Sequence, residues 1–151
     1  MYEIALYVHI LCAMAWVGGG LFAQLLVMRV QRSPDPEEFP RLVRHLSFIV
    51  DRLFIPASIL LFIAGLFMTV QRWEFQQAWI AIAIVLWLAS ALGGSLYLGP
   101  MAKRGTALFE TEGATSVAGR SILSRMFLIT RLELGVFAVI IALMVAKPTI
   151  G

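Results

Sequence analysis

Ile4-Ala-Leu-Tyr-Val-His-Ile-Leu-Cys-Ala-Met-Ala-Trp-Val-Gly-Gly-Gly-Leu-Phe-Ala-Gln-Leu-Leu-Val-Met28 is an uninterrupted stretch without a Lys, Arg, Asp or Glu. At about 1.5 Å of rise per residue, roughly 20 apolar residues cross a hydrocarbon layer of about 30 Å. Lipid offers no partner for unpaired backbone groups, so a run of this kind reads as a transmembrane helix. Three more runs follow: Leu53 to Val70, Ala78 to Gly99, and Met126 to Ala146, the last interrupted by Arg131 and Glu133. The first run is not read as a cleaved signal peptide. It is too long, it starts Met1-Tyr2-Glu3 rather than with basic residues, and no small-residue cleavage site interrupts it.

Composition agrees with this reading. Of 151 residues, 60% are apolar and 14% charged, against about 45–50% and about 25% in ordinary soluble domains. The mean hydropathy is +0.88. A soluble domain of this length has too little interior to hide so much apolar surface, which argues against a cytosolic enzyme. The single cysteine, Cys12, excludes an internal disulfide and a multi-cysteine zinc site. The expected fold is all-α: one transmembrane domain over 1–151, a four-helix bundle with spans near 4–29, 46–71, 78–100 and 124–147.

The basic residues predict the orientation. Arg29, Arg32, Arg41, Arg44 and Arg52 lie between runs one and two, and Lys103, Arg104, Arg120 and Arg125 between runs three and four. The opposite side carries only Arg72 and Lys147. Both termini are therefore expected outside the cytoplasm, in a plasma (bacterial inner) membrane. The net charge of +3 and pI of 9.5 follow from this asymmetry and point to a lipid partner, not nucleic acid.

Turn chemistry suggests where elements begin and bend. In Ser33-Pro34-Asp35-Pro36-Glu37-Glu38, Asp35 reads as a helix cap, Pro36 as the first helical residue and Glu38 as the capping-box position. An amphipathic stretch from Arg41 leads into the second span. Pro56 lacks the amide that would bond to the Arg52 carbonyl, which predicts a kink near Arg52. The loop 71–77 is short and flanked by Trp73 and Trp79, so spans two and three form an antiparallel hairpin with interfacial indoles. The polar segment 103–124 is expected to hold one short surface helix.

Two groups of residues carry candidate chemistry. His9 lies inside the first span, where a histidine is expensive and a functional candidate by default; the alternative is a histidine hydrogen-bonded to a neighbouring helix near the interface. Neutral imidazole ligates haem iron and copper. Cys12 and Trp16 share its helix face at i+3 and i+7. Met68 and Met144 lie at the same expected depth and are candidate second ligands, whereas His45 lies at the other membrane face. The second group is a buried charge cluster, with Arg52 pairing Glu133 and Asp51 pairing Arg131. Gly18 and Gly19, and the small-residue pairs Ala89/Gly93, Ser90/Gly94 and Ser95/Gly99, suit close helix packing, a homo-oligomer seam, or room for a flat ligand. No phosphate-binding loop, zinc-protease histidine pair or nucleophile elbow is present.

The segment His9-Ile-Leu-Cys-Ala-Met-Ala-Trp16-Val-Gly18-Gly19 resembles the first-span signature of a group of small bacterial membrane proteins. Pro56-Ala57, Ala64-Gly65-Leu66, Leu98-Gly99-Pro100 and Met144-Val145-Ala146-Lys147-Pro148 extend the likeness over most of the chain. The chain resembles an uncharacterised family of integral membrane proteins, a domain of unknown function, related to the copper resistance D family and the HemJ-type protoporphyrinogen oxidases. The HemJ-type resemblance implies haem b on His9, with Trp16 beside the ring, Gly18 and Gly19 making room, and a redox or haem-handling role with an electron-transfer partner. The third span lacks the lysine or histidine of the HemJ pattern, so the resemblance does not extend to oxidase activity. The copper-resistance resemblance makes His9 a copper ligand instead, with Cys12 and a methionine as soft partners. A scaffold without cofactor, dimerising through the third span, is the remaining alternative.

Overall fold

The structure, a computed structural model, describes residues 1–72 and 77–147. Trp73, one of the two expected interfacial indoles, lies outside the described residues. Those described form helices and connecting turns, with no strand. The helices are α1 (Tyr2–Val30), α2 (Glu38–Ile49), α3 (Ile55–Arg72), α4 (Ala78–Gly93), α5 (Gly99–Glu112) and α6 (Val117–Ala146). Each apolar run sits on one long helical stretch: Tyr2–Val30, Glu38–Arg72, Ala78–Glu112 or Val117–Ala146. All four stretches are long and apolar enough to cross a membrane.

The two middle stretches are built alike. A π-helical turn joins α2 to α3 over Val50–Phe54, and another joins α4 to α5 over Gly94–Leu98. Each ends shortly before a proline, Pro56 or Pro100. A proline cannot donate to the carbonyl four residues back. That carbonyl is Arg52 in one case and Leu96 in the other, and the wider π turn takes up the break. The irregularity expected near Arg52 is thus a π turn within a continuing helix. The helix beyond Pro100 also replaces the short surface helix expected in 103–124, since α5 runs unbroken to Glu112 and α6 begins at Val117.

The start of α2 differs from the expected one. Asp35 Oδ1 accepts the Glu37 N–H at 2.9 Å, and the helix begins at Glu38, not Pro36. Pro40 then falls in the first turn, where backbone N–H groups have no intrahelical partner and a missing one leaves no bond unmade. Ser116 caps α6 by accepting the Gly119 N–H at 3.0 Å, while its hydroxyl donates to Glu112 Oε2 at 2.6 Å.

A buried hydrophobic core lies at the basic end of the bundle. Val27 and Val30 of α1, Phe39 and Val43 of α2, Phe109 of α5, and Leu123, Met126 and Phe127 of α6 close on one another. Phe39 sits edge-on to Phe109 and Phe127, with ring centroids 6.1 and 6.2 Å away. Glycines bring α5 against α6: a Cβ on Gly105 would stand 2.6 Å from Leu123 Cγ, and one on Gly119 would stand 3.2 Å from the Gly105 carbonyl oxygen. The spans themselves are open by contrast. In their most apolar windows only 6–17% of residues are buried by protein, leaving Ile4, Phe22, Leu96 and Leu132 for lipid.

A candidate small-ligand site at His9

Helices α1 and α3 run antiparallel and in register. Arg72, at the end of α3, lies 4.7 Å over the ring of Tyr2 at the start of α1. Further in, His9 Nδ1 lies 2.9 Å from the Leu61 carbonyl oxygen, and Trp16 Nε1 donates to the Phe54 carbonyl at 2.8 Å. A carbonyl only accepts, so Nδ1 carries the proton and Nε2 carries the lone pair. His9 is 8% exposed, and Nε2 has no protein hydrogen-bond partner among the described residues. Gly65 makes this seat, since a Cβ there would be 3.2 Å from His9 Cε1 and 3.4 Å from Nδ1.

His9 lines a small apolar cavity of about 50 Å³ with Trp16, Leu61, Trp87, Phe137 and Met144. Ser58 is the polar neighbour on α3. Trp87 stacks on Phe62 with centroids 4.1 Å apart, and Phe137 meets Trp16 edge-on at 4.9 Å. Aromatic walls thus flank a space that α1, α3, α4 and α6 all reach.

Several expectations need correction. Met144 shares the cavity with His9, and Met68 does not line it. Cys12 is buried on the same helix but is not in the cavity wall either. The glycines do not form a slot. The space beside Gly19 is filled by the Phe54 ring, 2.8 Å from where a Cβ would be, and Gly18 has nothing within 4 Å. Haem does not fit this site as folded. A cavity of about 50 Å³ admits an ion or a few waters, whereas a cofactor-sized ligand needs several hundred Å³. Trp16, expected beside a porphyrin, packs on Phe54 and Phe137 and spends its indole N–H on the Phe54 carbonyl at the end of the π turn.

The buried charge cluster expected from sequence does not form. Asp51, Arg52 and Arg131 are exposed and Glu133 is half-buried. Among the described residues no ion pair joins them, and Arg52 lies 5.7 Å over the Phe48 ring instead. The reason lies in where the helices turn these residues. Asp51 and Arg52 fall on the outward-facing π turn, while the Glu133 carboxylate faces α4, 4.0 Å from the position of a Gly93 Cβ. The third-span small residues are likewise divided: Gly93 faces Glu133, Gly94 is open, and the Ser95 hydroxyl donates to the Ala91 carbonyl of its own helix at 2.8 Å.

Sequence reasoning missed Gln24. It is buried in α1 and ties that helix to α6, donating from Nε2 to the Phe127 carbonyl at 3.0 Å and to Thr130 Oγ1 at 2.7 Å. A polar amide within a run free of charges was the available signal. Phe54, Gly65 and Trp87 gave none, because apolar residues and glycines in a span look alike until their neighbours are known.

A family model described as "Predicted integral membrane protein (DUF2269)" matches residues 3–148. No curated protein and no solved structure matches the chain.

Proposed function

The chain belongs to this family of integral membrane proteins, and from that premise we propose that it binds a single soft metal ion, Cu(I), inside the bilayer. The ion sits on His9 Nε2 with Met144 as the second ligand. The observation that carries the proposal is the Nδ1 bond to Leu61 beside a cavity that Met144 also lines. A backbone carbonyl on one imidazole nitrogen fixes the tautomer and raises the basicity of the other, the usual arrangement for a metal-ligating histidine.

Imidazole and thioether together suit Cu(I), which accepts soft ligands in low coordination number. Among the described residues no three His, Cys, Asp or Glu side chains gather into a metal-binding group. That disfavours zinc, iron and the hard cations, which need more or harder ligands. Under the orientation that the basic residues predict, the site lies in the outer half of a plasma membrane, suited to holding or relaying copper at the extracytoplasmic side.

The test is a Cu(I) titration of the purified protein in detergent against bicinchoninate, with an optical spectrum of the same sample. One Cu(I) per chain is expected, with affinity reduced at least about tenfold in Met144→Leu, an apolar swap of similar volume that preserves packing. Wild-type affinity retained in Met144→Leu or in His9→Ala would overturn the proposal. So would a porphyrin band in the wild type that disappears in His9→Ala, which would restore haem as the ligand.

A further inference from the structure

A second cavity, independent of His9, opens at the basic end of the bundle. It has a volume of about 400 Å³ and is lined by Arg120, Ser124, Phe127 and Arg131 of α6, Gln31 after α1, and Phe39 of α2. We propose that it is a binding site for the headgroup of an anionic phospholipid.

The first argument is charge. Arg120 is held in place by donating to the Pro36 carbonyl at 3.1 Å and by lying 5.6 Å over the Phe39 ring. Neither contact neutralises it. Arg131 is exposed and meets no carboxylate among the described residues. Two guanidiniums thus line one groove without a counter-ion among the described residues, and guanidinium is the side chain best matched to phosphate geometry. Between them, Ser124 and Gln31 hydrogen-bond each other at 3.2 Å and add polar groups to the wall.

The second argument is the gradient of polarity along α6. Arg120 and Ser124 precede the apolar run, whereas Phe127 and Arg131 fall within it. A free phosphate would need only the polar end. A phospholipid has both parts, a phosphate for the arginines and glycerol with acyl chains for the apolar end. Arg131 also needs such a partner on its own account. An arginine within a membrane span is expensive unless it reaches a headgroup or a counter-ion, and its side chain is long enough to snorkel to one. Basic pockets between spans are recurrent sites for anionic lipid headgroups.

The experiment uses the full chain in dodecyl maltoside, with thermal unfolding followed as phosphatidylglycerol or phosphatidylcholine is added. Phosphatidylglycerol should raise the midpoint saturably, and phosphatidylcholine should not. Arg131→Gln, at an exposed position, should raise the half-saturating concentration about fivefold, whereas Arg125→Gln, exposed and outside the groove, should leave it unchanged. Arg120→Gln also loses contacts to α2 and its approach, so Arg131→Gln decides the matter if that variant fails to fold. Equal stabilisation by both lipids, or an unchanged phosphatidylglycerol response in Arg131→Gln, would overturn the site. Stabilisation by soluble glycerol phosphate at the same concentrations would show that free phosphate, not lipid, is the ligand, and would overturn the proposal as stated.

Discussion

His9 and Trp16 stand seven residues apart on α1; His9 meets the Leu61 carbonyl on α3 and Trp16 the carbonyl of Phe54, the last residue of the π turn that leads into α3, and Leu61 and Phe54 are also seven residues apart. Seven residues are close to two helical turns, so the two contacts repeat along one antiparallel seam. They fix the rotation of α1 against α3, and with it the face on which His9 lies. The site and the packing of the first helix are therefore one feature of the structure.

Trp16→Phe tests this seam. The substitution keeps an aromatic ring against Phe54 and Phe137 but removes the N–H donor. Polar contacts between membrane helices are worth about 0.6 kcal/mol on average and about 1.7 kcal/mol at most. A loss within that range is expected in reversible unfolding in mixed micelles. An unchanged stability would mean that the Trp16 contact adds nothing to the α1–α3 interface.

Gly65→Ala tests the seat of the imidazole. The added methyl would approach His9 Cε1 to 3.2 Å, so the ring must shift by a few tenths of an ångström. Disturbing the groups that orient a metal ligand lowers affinity about 10- to 100-fold. Cu(I) binding should fall by at least the lower figure while helical content by circular dichroism stays as in the wild type. Unaltered binding would detach the Gly65 contact from the site.

Gly105→Ala tests the core at the basic end. Its Cβ would sit 2.6 Å from Leu123 Cγ, and Leu123 is 0% exposed. Either the Leu123 side chain must leave its packed position or α5 must shift away from α6. Overpacking of this kind costs about 1–3 kcal/mol, to be read as a lower thermal midpoint. A midpoint equal to the wild type would show that α5 and α6 are not tightly apposed there.

Glu133→Gln separates two accounts of the charged residues in the fourth span. If Glu133 were ion-paired, removing its charge would cost about 3–5 kcal/mol. Among the described residues it has no such partner, and an unpaired carboxyl in a span is itself unfavourable. Glu133→Gln is therefore expected to leave the thermal midpoint unchanged or raise it. A large drop would restore the ion-pair cluster with Arg52.

The four spans were legible because the requirement for them is one-dimensional: enough uninterrupted apolar length to cross the hydrocarbon layer. His9 stood out as a candidate for a related reason, since an imidazole within such a run is conspicuous against its neighbours. The partners were not legible. Whether Met68 or Met144 joins His9 depends on how α3 and α6 are rotated, and depth along the membrane does not encode rotation. The glycines show the same limit. Gly19 and Gly65 are equally small, yet one receives the Phe54 ring and the other the His9 imidazole. The charge cluster fails for the same reason. Similar depth does not bring side chains into contact when the π turn carries Asp51 and Arg52 outward and Glu133 turns toward α4.

The central claim concerns one nitrogen atom, Nε2 of His9. X-ray absorption spectroscopy at the copper edge of the Cu(I)-loaded protein reads its environment directly. The account predicts a low-coordinate ion with one imidazole nitrogen and one thioether sulfur, with the sulfur contribution lost in Met144→Leu and the imidazole contribution lost in His9→Ala. A spectrum with neither ligand, or one unaffected by both substitutions, would contradict it.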